Sequence, residues 1–83
     1  MKLTLMFRPY CGLCHAMRDQ LQPYQQEFSF DVEIIEIDEF PELELKYNEL
    51  VPVLLHGEHE LCHWHLDETA LRDYLQHLQT ETI

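Results

Sequence analysis

Cys11-Gly12-Leu13-Cys14 limits the fold of this chain more than any other feature, because it stands where one periodicity stops and another begins. Ahead of it, Lys2–Phe7 (KLTLMF) is a short apolar run that suits a buried strand, and Arg8-Pro9-Tyr10 breaks the run. Behind it, Cys14, Met17, Leu21, Tyr24 and Phe28 step by three and four, which lays one apolar stripe along a helix. A C-x-x-C between a strand and the helix that it opens is a setting in which cysteines acquire chemistry. The unpaired N–H groups and positive dipole end of a first helical turn stabilise a thiolate at Cys11 and lower its pKa. Cys14, one turn further in, is the more buried and less acidic sulfur and lies within bonding reach. In that arrangement Cys11 attacks a disulfide and Cys14 resolves the mixed disulfide. Gly12 leaves the approach to Cys11 open. Arg8 adds positive charge suited to holding a substrate carboxylate.

The remaining segments predict a small alternating fold. Pro23 lies inside the first helical stripe, so a kink or an early end is expected there. Phe30–Asp38 (FDVEIIEID) reads as a strand, and Phe40–Asn48 as a short helix with Pro41 at its first position. Val51–His56 (VPVLLH) is a strand, His56-Gly57-Glu58-His59 a tight turn in which Gly57 takes positive φ, and Glu60–His65 the second arm of a hairpin. Asp67 is the N-cap of a last helix. Leu66 and Leu71 form a staple across its start, and Leu71, Tyr74, Leu75 and Leu78 carry its apolar stripe. Thr80–Ile83 is expected to fray. The order is β-α-β-α-β-β-α: the first two strands are parallel, the hairpin antiparallel, and helices cover both faces of a four-stranded mixed sheet.

At 83 residues the chain is one domain, residues 1–83. With 16 acidic against 5 basic residues, the net charge of −11 repels nucleic acid and anionic lipid, so neither is an expected partner. The acids crowd the middle, among them Glu27, Asp31, Glu33, Glu36, Asp38, Glu39, Glu42, Glu44 and Glu49. They read as a solvated face, with a docking face for a basic partner as the alternative. Met1–Arg8 is too short for a signal peptide and no apolar run matches a membrane span, so a cytoplasmic location is expected. A close cysteine pair in a reducing compartment is catalytic or metal-binding rather than a structural staple.

Two other sulfur chemistries fit less well. Zinc asks for four ligands, and there is no second C-x-x-C. Cys11–His15 also spells the C-x-x-C-H of covalent haem attachment, but the β-rich second half is wrong for a small helical cytochrome. His15 is placed on the exposed side of the first turn as a surface histidine.

Three features together resemble the thioredoxin superfamily, and within it the glutaredoxin-like proteins: Cys11-Gly12-Leu13-Cys14 after the first strand, Val51-Pro52-Val53-Leu54 at the start of the third, and the element order along nearly the whole chain. The resemblance implies an α/β thioredoxin-like, glutaredoxin-type fold. It also implies a cis Val51–Pro52 bond packed beside the cysteines, and a Val51 backbone that pairs with an extended substrate. The chain departs from standard glutaredoxins at two points. Gly12-Leu13 replaces the common Pro-Tyr, and the glycine pair that helps to bind glutathione before the last helix is replaced by Trp64-His65-Leu66-Asp67-Glu68.

The implied catalytic residues are Cys11 and Cys14, and the implied substrate-binding residues are Arg8, Tyr10, Gly12, Leu13, Val51, Pro52 and Asp67. The implied activity is thiol–disulfide exchange by a monomer with a protein disulfide or glutathione, glutathione being a co-substrate and no resident cofactor or metal being required. Two alternatives stand beside it. One is a non-catalytic interaction module that docks a partner on the acidic face. The other is a metal protein using the cysteines or the hairpin histidines, since alternation puts His59, His63 and His65 on one strand face and Cys62 and Trp64 on the other. Without a metal, the hairpin is an edge strand with Cys62 as a small core residue and Trp64 as core or groove wall.

Overall fold

The computed structural model describes residues 1–81. The first strand, β1 (Lys2–Phe7), leads through Arg8-Pro9-Tyr10 into α1 (Gly12–Phe28). Then follow β2 (Asp31–Glu36), a 3-10 turn (Ile37–Glu39), α2 (Pro41–Tyr47), β3 (Val53–His56), β4 (His59–His63) and α3 (Glu68–Glu81). The four strands form one mixed sheet in the order β2-β1-β3-β4. β1 pairs parallel with β2 and antiparallel with β3, and β3 pairs antiparallel with β4.

β1 and β3 are central and apolar on both faces. Leu5 and Met6 on β1 are buried in succession, as are Val53, Leu54 and Leu55 on β3, so both sides of the sheet are covered. α1 and α3 share one side. Tyr24 of α1 donates its hydroxyl to Glu68 of α3 at 2.7 Å, and Arg72 of α3 grips the Glu27 carboxylate with two N–H bonds of 2.7 and 3.1 Å before lying over Tyr24 and Phe28. That leaves α2 and the 3-10 turn for the other side.

Several expectations are met at residue level, and several are corrected. Asp67 caps α3, its carboxylate accepting from the Ala70 N–H at 3.0 Å. Gly57 has φ of 62° in the hairpin turn. α1 does not end at Pro23. Pro23 and Asp19, whose carbonyl loses its partner, are both exposed, so that carbonyl lies on the solvent side while burial of Leu21 and Tyr24 holds the helix together. The helix ends at Ser29, which takes the left-handed conformation and donates its N–H to Gln25 at 2.9 Å. β2 is shorter than Phe30–Asp38, because its ladder stops where β1 does, at the Phe7–Glu36 pair, and the chain then tightens into the 3-10 turn. α3 continues through Glu81 rather than fraying at Thr80; the rest of that expectation, on residues 82 and 83, lies outside the described residues.

The hairpin differs most from its alternation pattern. Leu55 pairs with Glu60 but Leu54 pairs with Cys62, so Leu61 is an extra residue bulged into β4. The bulge reverses the alternation and puts His59 and His63 on opposite faces. His59 stacks on Tyr74 with ring centroids 5.6 Å apart, while His63 turns to Glu60 at 2.9 Å. Trp64 has φ of 64°, which takes His65 out of the strand. The shared histidine face read from the sequence therefore does not form, and among the described residues no group of three or more His, Cys, Asp or Glu is placed to hold a metal ion. Among the same residues no helix is long and apolar enough to cross a membrane.

Leu5, fully buried in β1, tests where the core lies. Leu5→Ala is expected to lower the unfolding free energy by about 2–5 kcal/mol in urea titrations. Leu45→Ala, at a position 87% exposed, should change it by less than about 0.5 kcal/mol.

Candidate active site

The end of β1 and the start of α1 build the site from local geometry. Cys11 is the N-cap of α1, with extended backbone angles (φ −102°, ψ 114°), and its sulfur accepts the Cys14 backbone N–H at 3.2 Å. This is the bond a serine or aspartate makes when it caps a helix, here made by a thiol. The loop before it is tightened by the Cys11 N–H donating to the Arg8 carbonyl at 3.0 Å. Both sulfurs are free thiols. Cys11 is half-buried, whereas Cys14 is 0% exposed. Burial first, and the hydrogen bond with Cys11 second, push the Cys14 thiol from its ordinary 9.0 up to about 12, against the opposing pull of a backbone hydrogen bond from Arg8. An added side chain at Gly12 would meet nothing within 4 Å, so the space over the first turn is open.

Val51 and Pro52 reach this end of the sheet through strand pairing. Val53 lies opposite Met6 in an antiparallel ladder, so the segment entering β3 and the segment leaving β1 meet at the same edge. The Val51–Pro52 bond is cis. Val51 donates its own N–H to the Tyr47 carbonyl at 3.2 Å. Trp64 brackets the segment from the other side. Its backbone N–H donates to the Pro52 carbonyl at 2.9 Å, its indole N–H donates to the Glu49 carbonyl at 2.8 Å, and it is 49% exposed. It is half-exposed and not a core residue. Tyr10, 75% exposed, and Leu13, 42% exposed, stand on either side of Cys11 and Gly12 in the chain.

Arg8 points inward. Its Nε donates to Asp38 Oδ1 at 3.0 Å, one Nη to the Asn48 carbonyl at 3.3 Å and the other to Asn48 Oδ1 at 2.9 Å, and its side chain is 13% exposed. The second oxygen of Asp38 accepts the Tyr10 hydroxyl at 2.9 Å, and that bond raises the Tyr10 pKa. Asp38 and Asn48 are site residues that the sequence reading missed; Asp38 stood there only as one acid in a run of them. His15 is also misplaced as a plain surface histidine. Its Nε2 lies 2.6 Å from the Pro9 carbonyl and its ring meets Phe7 edge-on at 4.9 Å, so it braces the loop from the helix side. Asp67 is engaged in capping α3, and the half-buried Cys62 packs against the core nearby, its thiol pushed up in pKa by burial.

The chain is 29% identical over 76 residues to the uncharacterized proteins Rv0508 of Mycobacterium tuberculosis and Mb0520 of Mycobacterium bovis, covering 86% of this chain and 78% of each of those. The solution NMR structure of protein Ne2328 from Nitrosomonas europaea is similar with a TM-score of 0.77 and 37% identity, covering 88% of both chains. The germline-specific thioredoxin Deadhead of Drosophila melanogaster superposes with a TM-score of 0.61 at 24% identity, over 93% of this chain and 79% of that one, a likeness of fold. The glutaredoxin-like domain model (DUF836) matches residues 2–76, and the chain belongs to that family, a glutaredoxin-like branch of the thioredoxin fold.

Proposed function

We propose that this chain is a thiol–disulfide oxidoreductase in which Cys11 is the nucleophile and Cys14 the resolving thiol. The observation that carries the reading is the Cys14 N–H aimed at the Cys11 sulfur at 3.2 Å, at the N-cap of a 17-residue helix. A sulfur that receives an N–H at the positive end of a helix dipole is the one placed to carry negative charge.

The Cys11 thiolate attacks one sulfur of a substrate disulfide. A new S–S bond forms, the substrate S–S bond breaks, and the displaced sulfur leaves as a thiolate. Cys14 is held as a thiol first by burial and then by its hydrogen bond to Cys11. Mixed-disulfide formation removes the Cys11 charge, which eases ionisation of Cys14, and its proton passes to solvent or to the departing thiolate. The Cys14 sulfur then attacks Cys11, the Cys11–Cys14 bond closes, and the second substrate thiolate departs. Two electrons pass from the pair to the substrate, and a thiol reductant returns them by the reverse steps. Protein disulfides and glutathione are the proposed exchange partners of a monomeric protein. Exposed Tyr10, Leu13 and Trp64 around the entry to β3 favour an extended peptide laid beside the Val51 carbonyl. The cytoplasm suits this chemistry, because there the pair is kept available as thiols.

Cys11→Ser should abolish reduction of a small disulfide, whereas Cys14→Ser should leave a stable adduct on Cys11 that mass spectrometry detects; equal partial activity in both variants would overturn the assigned roles. The raised Cys14 pKa gives a second expectation. With iodoacetamide at pH 8, Cys11 is alkylated while Cys14 stays protected, since a pKa of about 12 leaves roughly one Cys14 in ten thousand ionised. Because the folded pKa lies above the unfolded one, the stabilising contribution of Cys14 is intact below about pH 9 and is lost as pH climbs toward 12. Urea titrations under reductant should therefore show a steeper loss of stability over that range in the wild type than in Cys14→Ser.

A further inference from the structure

Each of the three guanidinium nitrogens of Arg8 donates to Asp38 or Asn48, which uses three of its five N–H donors, and the side chain is only 13% exposed, so its charge is already committed within the protein. The other four Lys and Arg side chains are engaged as well. Lys2 pairs with Glu33, Arg18 with Asp19 and Arg72 with Glu27, and Lys46 lies over the Tyr47 ring. A substrate reaching Cys11 therefore meets a protein of net charge −11 whose nearest cation is already paired.

We propose that Asp38 sets the charge preference of the Cys11 site: by holding the Arg8 guanidinium and the Tyr10 hydroxyl, it withholds the cation that would receive a substrate carboxylate, so the site favours cationic and neutral disulfides over anionic ones such as glutathione disulfide. This inference rests on the exchange reading above and narrows its substrate class. Arg8 is on this view a positioning residue. Its fork ties the loop that carries Cys11 to the 3-10 turn through Asp38 and to the end of α2 through Asn48. The Tyr10 hydroxyl on the other Asp38 oxygen closes the same loop from its exposed side. The substrate class that fits is a disulfide flanked by basic or neutral groups, including a basic protein segment.

The test is a single-turnover reaction of the reduced protein at pH 8 with three small disulfides: cystamine (cationic), 2-hydroxyethyl disulfide (neutral) and glutathione disulfide (net anionic). Each rate is divided by that of dithiothreitol, an uncharged thiol, with the same disulfide, which removes intrinsic reactivity. The wild type should rank cystamine first and glutathione disulfide last, spread by roughly tenfold at low ionic strength and converging as salt is added. Asp38→Asn should raise the ratio of glutathione disulfide to 2-hydroxyethyl disulfide by roughly three- to tenfold. Arg8→Lys, which keeps the charge and loses the fork, should slow all three substrates by one common factor.

The inference is overturned if the wild type prefers glutathione disulfide, if Asp38→Asn leaves that ratio unchanged, or if Arg8→Lys selectively loses glutathione disulfide, as a bidentate substrate anchor would. The ranking in the wild type alone decides the matter if a variant does not fold. Reduction of 2-hydroxyethyl disulfide without a charge preference sinks this inference and leaves the exchange reading standing; reduction of none of the three sinks both.

Discussion

β1 has a neighbour on each side, and the direction of those neighbours governs everything at its end. A strand buried on both faces must be apolar on both, which Leu3, Leu5, Met6 and Phe7 supply, and it must leave the sheet where its apolar run stops. The chain therefore turns at Arg8-Pro9-Tyr10 and starts a helix whose first turn faces outward from the sheet edge. β3 runs antiparallel to β1, so its entry arrives at the edge that β1 leaves. The cysteine loop and the Val51–Pro52 segment are brought to one edge by that pairing direction, across about half the length of the chain.

The hydrogen bonding at this edge separates the two sulfurs into different roles. Cys11 occupies the cap, where helix N–H groups are unpaired and solvent is close. Cys14 occupies the first buried turn of the stripe, where an anion would lose its hydration. The same stripe position that gives α1 its hold on the core is the one that keeps the second thiol protonated. Packing and chemistry are thus set by one residue spacing.

Charge is the other organising quantity. Five cations face sixteen carboxylates, and each cation is drawn into the protein's own contacts. Exposed pairs of this kind contribute little to stability one by one. What they decide is geometry. Arg72 joins α1 to α3, and Arg8 joins the cysteine loop to the connection between β2 and α2. The carboxylates left over make the outward field.

The sequence by itself determined the elements and their order, the helix cap at Cys11, the opposed settings of Cys11 and Cys14, the positive φ of Gly57 and the cap at Asp67, because each follows from residues within one turn or one strand of each other. The tertiary structure alone decided that Leu61 bulges and splits the histidines between two faces, that α1 runs on through Pro23, that Trp64 stands half-exposed beside Pro52, and that Arg8 turns to Asp38 and Asn48, thirty and forty residues away. The physical reason is separation. A cap or a stripe is enforced by neighbours along the chain, whereas a bulge, an exposed ring or an ion pair depends on which distant backbone the sheet brings alongside, and no local spacing encodes that.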